Sequence, residues 1–95
     1  MAGERMKRWL VSNSALLLRS WDDEFVVYNE SSGDTHLLDG VAGEILQALI
    51  AAPAEIEALV TSLGAKWDTD PSAELHRQIE RILVDLQALA LVEQR

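Results

Sequence analysis

Short extended-type runs come first along this chain, and helical spacing follows. Ala15 to Trp21 is apolar with a polar interruption at Arg19. Glu24 to Asn29 holds the β-branched and aromatic cluster Phe25, Val26, Val27 and Tyr28, a composition that suits strands. Asp22 and Asp23 fit a turn between these two runs. Glu30, Ser31, Ser32, Gly33 and Asp34 make a second turn cluster, and Thr35, His36, Leu37 and Leu38 then read as a short third strand. The three runs predict an antiparallel meander.

From Asp39, a good helix N-cap, the pattern changes. Val41, Ile45, Leu46 and Leu49 recur at helical spacing and stop before Pro53. Ile56, Leu59, Val60 and Leu63 share one face of a shorter second helix, which the pattern ends at Gly64, a natural C-terminal cap. Asp70, Pro71 and Ser72, with Glu74 close behind, open a third helix. Its stripe is Leu75, Ile79, Ile82, Leu83, Leu86 and Leu89, and it is expected to run to about Ala90, with Leu91 and Val92 closing over the core and Glu93 to Arg95 fraying. Three strands followed by three helices make an α+β domain: a sheet this small is stable only with one face buried on the helices.

The chain has 95 residues, 48% of them hydrophobic, which suits one folded domain and leaves little volume for an enzyme cavity with its own cofactor. With no cysteine, disulfides, thiolate metal sites and cysteine nucleophiles are excluded. The formal charge is −8, and it is unevenly spread. Arg5, Lys7, Arg8 and Arg19 make the start basic, whereas Ser20 through Ala65 holds nine Asp or Glu and no Lys or Arg. Such a body repels phosphate, so nucleic acid is not the expected partner. Residues 1–14 are expected to be a flexible basic segment, and residues 15–95 a single domain. Ser12, Asn13 and Ser14 interrupt the early apolar run, and nothing reads as a secretory signal or membrane span, so the expected location is cytoplasmic.

The run WDDEFVVYNESSGDTHLLDGVAGEILQALIAAPAEIEALVTSL, Trp21 to Leu63, resembles the PqqD family of small peptide chaperones, also called RiPP recognition elements. The counterparts of the family pattern are Leu38-Asp39; Ala42, Ile45 and Leu46; Ile56 and Leu59; Trp67-Asp68; and Ile82, Leu83, Leu86 and Leu91. The similarity extends over roughly residues 15 to 93, and the step from Thr35 to Asp39 is most similar to members associated with HPr-kinase-like proteins. Two positions depart from the pattern: Arg81 stands where many members carry an acid, and Ala90 where a Gly commonly precedes the closing Leu.

The resemblance implies a winged-helix-like domain without catalytic activity or cofactor. It further implies that the leader segment of a precursor peptide adds as a strand to the third strand, in the groove beside the third helix, for presentation to a modifying enzyme. An open strand edge offers backbone groups for such an addition, and side-chain pockets offer selectivity. The candidate peptide-binding residues are therefore Thr35, His36, Leu37 and Leu38 on the strand, and Leu75, Arg77, Gln78, Arg81 and Ile82 on the helix. Arg77 and Arg81, one helical turn apart, could meet acidic leader side chains.

Other chemistries find less support. His36 and His76 match no compact metal motif, the carboxylates of Asp22, Asp23 and Glu24 suit a hairpin turn, and no serine lies in a nucleophile-elbow context. The glycines match no phosphate loop. Trp9, Trp21 and Trp67 are expected to be structural. A winged-helix DNA-binding regulator and a structural subunit of a larger enzyme remain the alternatives, and the open edge could also pair with a second copy to form a homodimer.

Overall fold

A computed structural model describes residues 8–12 and 15–95. The order is β1 (Trp9–Val11), β2 (Leu16–Trp21), β3 (Glu24–Asn29), β4 (Thr35–Leu38), α1 (Gly40–Ala51), α2 (Ile56–Lys66), α3 (Ala73–Ala88) and β5 (Val92–Gln94). The antiparallel meander β2-β3-β4 is present with the expected strand limits. Its first turn is Asp22-Asp23, both with positive φ (50° and 66°), as a two-residue hairpin whose twist matches its strands requires. In the second turn the Asn29 side-chain oxygen accepts from the backbone N–H groups of Ser31 and Ser32.

The helices form where caps and apolar spacing agree. Asp39 caps α1 by accepting from the Ala42 N–H at 2.8 Å, and Ser72 caps α3 by accepting from the Leu75 N–H at 3.2 Å. Helix α2 overruns the expected stop at Gly64 and ends at Lys66. The reversal belongs to Asp68 (φ 55°), with Thr69 N–H bonded to the Gly64 carbonyl and Asp68 N–H to that of Ala65. Gly64 serves packing: a Cβ there would lie 2.8 Å from the Thr69 carbonyl oxygen and 3.3 Å from Leu75. Helix α3 ends the same way, with Ala90 at φ 63° and Leu91 N–H bonded to the Leu86 carbonyl.

The core lies between the sheet's inner face and the helices. Leu16, Val27 and Leu38 form one buried cluster with Ile45, Leu46 and Leu49 of α1, Leu59 and Leu63 of α2, and Leu75, Ile79, Leu83 and Leu86 of α3. Ile82 is only half-buried and Leu89 is exposed, which narrows the stripe expected on α3. Leu91 and Val92 are buried, as their position after the helix led us to expect.

The chain ends depart from expectation. Trp9–Val11 pairs antiparallel with Val92–Gln94, and Trp9 is in the core at 4% exposure. The loose segment expected up to residue 14 therefore does not hold for Trp9 to Val11, nor does fraying hold for Glu93 and Gln94. Burying the Trp9 indole supplies the reason: it draws both ends into a second, two-stranded sheet. Arg5 and Lys7 lie outside the described residues.

Candidate functional site

Strand β4 is an edge of the three-stranded sheet, with β3 on one side and no strand on the other among the described residues. The hydrogen-bond phase follows from the turn: Asn29 N–H donates to the Asp34 carbonyl at 2.9 Å. Alternation in an antiparallel ladder then directs the backbone groups of Val27 and Phe25 to His36 and Leu38. The N–H and C=O of Thr35 and Leu37 point out of the open edge. The side chains alternate too: Leu38 is buried and His36 half-buried on the helix side, whereas Thr35 and Leu37 are exposed on the other face.

An open groove of about 750 Å³ lies where β4 runs into α1, bounded across by α3. Asp39 and Val41 line one side; Glu74, Arg77, Gln78, Glu80, Arg81, Ile82 and Val84 line the other. Four of the five helix residues expected at the site are thus brought together. Leu75 is not: it is 6% exposed, in the core against α2 beside Gly64. Val41, which the helical spacing grouped with Ile45, Leu46 and Leu49, is instead 44% exposed and lines the groove, as does Val84 (50%), which the pattern did not single out. Val84 had a signal, being apolar yet off the buried stripe of its helix. A second cleft of about 560 Å³ lies between α2 and the start of α3, bordered by Val60, Pro71 and His76, away from the open strand.

Charge in the main groove is partly committed. Glu74 accepts from Arg77 at 2.9 Å and from Gln78 at 3.3 Å, and the Arg77 guanidinium holds the Glu74 carboxyl below its usual range. Arg81 has no ion pair or hydrogen bond with the described residues, so its guanidinium is available to a ligand. With Val41, Ile82 and Val84, the groove offers apolar contact and, in Arg81, a cation without an ion pair among the described residues. Among the described residues no three His, Asp or Glu side chains converge as a metal site. His76 instead lies 3.8 Å from Glu57.

A model of the family described as coenzyme PQQ synthesis protein D (PqqD) matches residues 24–92. The chain belongs to the PqqD family. The match runs from β3 through the open strand and all three helices to the start of β5. Members of the PqqD family are non-catalytic peptide-binding chaperones. Among solved structures, the chain is similar to TbiB1, determined in complex with the TbiA(beta) leader peptide, with a TM-score of 0.70 and 24% identity, over 88% of this chain and 94% of that one. At this identity the likeness concerns the fold. No curated protein matches this chain significantly.

The tryptophans divide. Trp9 is buried and Trp67 half-buried, its indole N–H donating to Glu44 at 3.1 Å. Trp21, expected to be structural, is 72% exposed at the hairpin tip, because period-two alternation turns it away from the helices. No helix among the described residues is long and apolar enough to cross a membrane.

Proposed function

We propose that this chain captures the leader segment of a ribosomally made precursor peptide as an added strand on β4 and holds it for a modifying enzyme. The observation that carries this reading is the open edge: Thr35 and Leu37 aim backbone groups outward that have no partner among the described residues, beside a groove with apolar walls and the Arg81 guanidinium. Backbone pairing supplies affinity with little dependence on peptide sequence. Alternate peptide side chains enter the groove toward Val41, Ile82 and Arg81 and supply selectivity. Holding the peptide next to an enzyme raises its effective concentration there. Membership in the PqqD family supports the reading. The leader peptide bound by TbiB1, a protein of similar fold, is in keeping with it.

The narrower assignment, to members associated with HPr-kinase-like proteins, rests on Thr35 to Asp39 alone, and a cytoplasmic location goes with it as part of the proposal. The DNA-binding alternative needs a cationic recognition helix, yet α3 sets Glu74, Glu80 and Asp85 against Arg77 and Arg81. An amide-resolved NMR titration with the precursor leader encoded beside this gene, and duplex DNA as control, tests the reading. Saturable shifts at Thr35 to Leu38 and along Arg77 to Ile82 are expected with the leader. Shifts with DNA alone would overturn the proposal.

A further inference from the structure

The face of the three-stranded sheet turned away from the helices is apolar and uncovered by the described residues. Register and alternation place Leu17, Trp21, Val26, Tyr28 and Leu37 on it, with Trp21 72% and Leu37 66% exposed. The opposite face cannot take them, since Leu16, Val27 and Leu38 already fill it against the helices. Trp21 is also firmly supported. It ends β2 at a two-residue turn, and the turn leans on α1, where a Cβ on Gly40 would meet the Asp23 carbonyl oxygen at 3.0 Å.

Charge identifies what this face suits. Asp22, Asp23 and Glu24 stand at the Trp21 end, and Glu30 and Asp34 at the other, with Arg19 the one cation between them among the described residues. A second copy of this chain would set carboxylates against carboxylates at −8 per copy, and nucleic acid or an anionic membrane would be repelled. We infer that this face docks a folded protein partner whose contact surface is apolar at its centre and flanked by Lys and Arg. An exposed indole amid apolar side chains is the kind of anchor that dominates such contacts. Resting on the function proposed above, the partner is the peptide-modifying enzyme. The face borders the β4 edge at Leu37, but its Trp21 end lies on β2, the opposite edge strand, so leader and enzyme can be held together.

The test measures binding of the full chain to the modifying enzyme encoded beside it and, separately, to the synthetic leader. Trp21→Ala is expected to weaken enzyme binding about 30-fold or more and to leave leader affinity unchanged. The pair Asp22→Asn and Asp23→Gly supplies the residues a turn of this type prefers, so it folds; it is expected to slow association severalfold and flatten its salt dependence. Enzyme binding by the Trp21 variant within twofold of wild type would overturn the inference. So would a wild-type chain that binds leader but not enzyme, or a wild-type dimer that the Trp21 variant dissolves. A chain that binds enzyme through Trp21 but not the leader would support the docking face while overturning the leader reading.

Discussion

Gly43 of α1 sits directly on the Phe25 ring of β3: a Cβ on Gly43 would overlap Phe25 Cδ2 and Cγ and come within 2.7 Å of Phe25 Cβ. This contact sets how closely the first helix lies on the sheet, and so where Val41 stands relative to the open strand. Because Phe25 Cβ is fixed by the strand, rotation of the ring alone cannot relieve the clash. Gly43→Ala is expected to destabilise by about 1–3 kcal/mol, read as a lower urea midpoint at unchanged slope, through overpacking rather than helix propensity.

Ala90 holds φ 63° in the turn that ends α3, a conformation that costs a residue with a Cβ more than it costs glycine. The turn is needed because it sends Leu91 into the core and Val92 toward Val11. Ala90→Gly is expected to stabilise by about 1 kcal/mol, raising Tm by roughly 4–8 °C for a domain of this size. Leader affinity should not change, since Ala90 lies outside the groove.

The order and limits of β2, β3, β4 and α1 were legible because each is framed by local signals: turn residues at 22–23 and 30–34, and a capping aspartate at 39. The terminal sheet was not legible. Trp9–Val11 and Val92–Gln94 are too short to show a period, and they pair only because folding brings the chain ends together. Gly64 was ambiguous for another reason: a glycine near a helix end suits a left-handed cap and a close contact equally well, and here the contact with Thr69 decided. At the site, alternation along β4 accounts for Leu38 lying inward with His36 at the core margin. The contributions of Val41 and Val84 depend on how α1 and α3 are set against each other, which local spacing does not encode.

Glu44 ties the end of α2 to α1, pairing with Lys66 at 3.0 Å and accepting from the Trp67 indole at 3.1 Å. The Lys66 hydrogen bond, more than the indole, holds its carboxyl below the usual glutamate range against an opposing effect of burial. A carboxyl whose folded pKa is depressed contributes fully above its unfolded pKa, and the contribution is lost as pH falls through the folded value. Glu44→Gln keeps an acceptor for Trp67 and removes the charge. Since Lys66 is largely exposed, it should cost about 0.5–1 kcal/mol at neutral pH. Urea unfolding of both proteins across the acid range should show the gap closing as pH falls below the ordinary glutamate pKa; a constant gap would assign the loss to packing.

Strand addition at β4 can be separated from the integrity of the sheet because neighbouring residues point their backbone groups opposite ways. The Leu37 N–H faces the open edge, while His36 and Leu38 bond β3. Leu37→Pro removes an outward donor and no ladder hydrogen bond, and proline favours an extended conformation at His36, which His36 already has. The variant should therefore keep nearly all of its stability yet lose leader affinity by at least about tenfold, the equivalent of one missing hydrogen bond and a blocked approach. His36→Pro is the control, since it removes a bond to Val27 and should loosen β4 itself. Calorimetric titration of both variants with the leader, alongside urea melts, checks the pair. Leader affinity that survives in a folded Leu37→Pro protein would place the peptide elsewhere than on this edge.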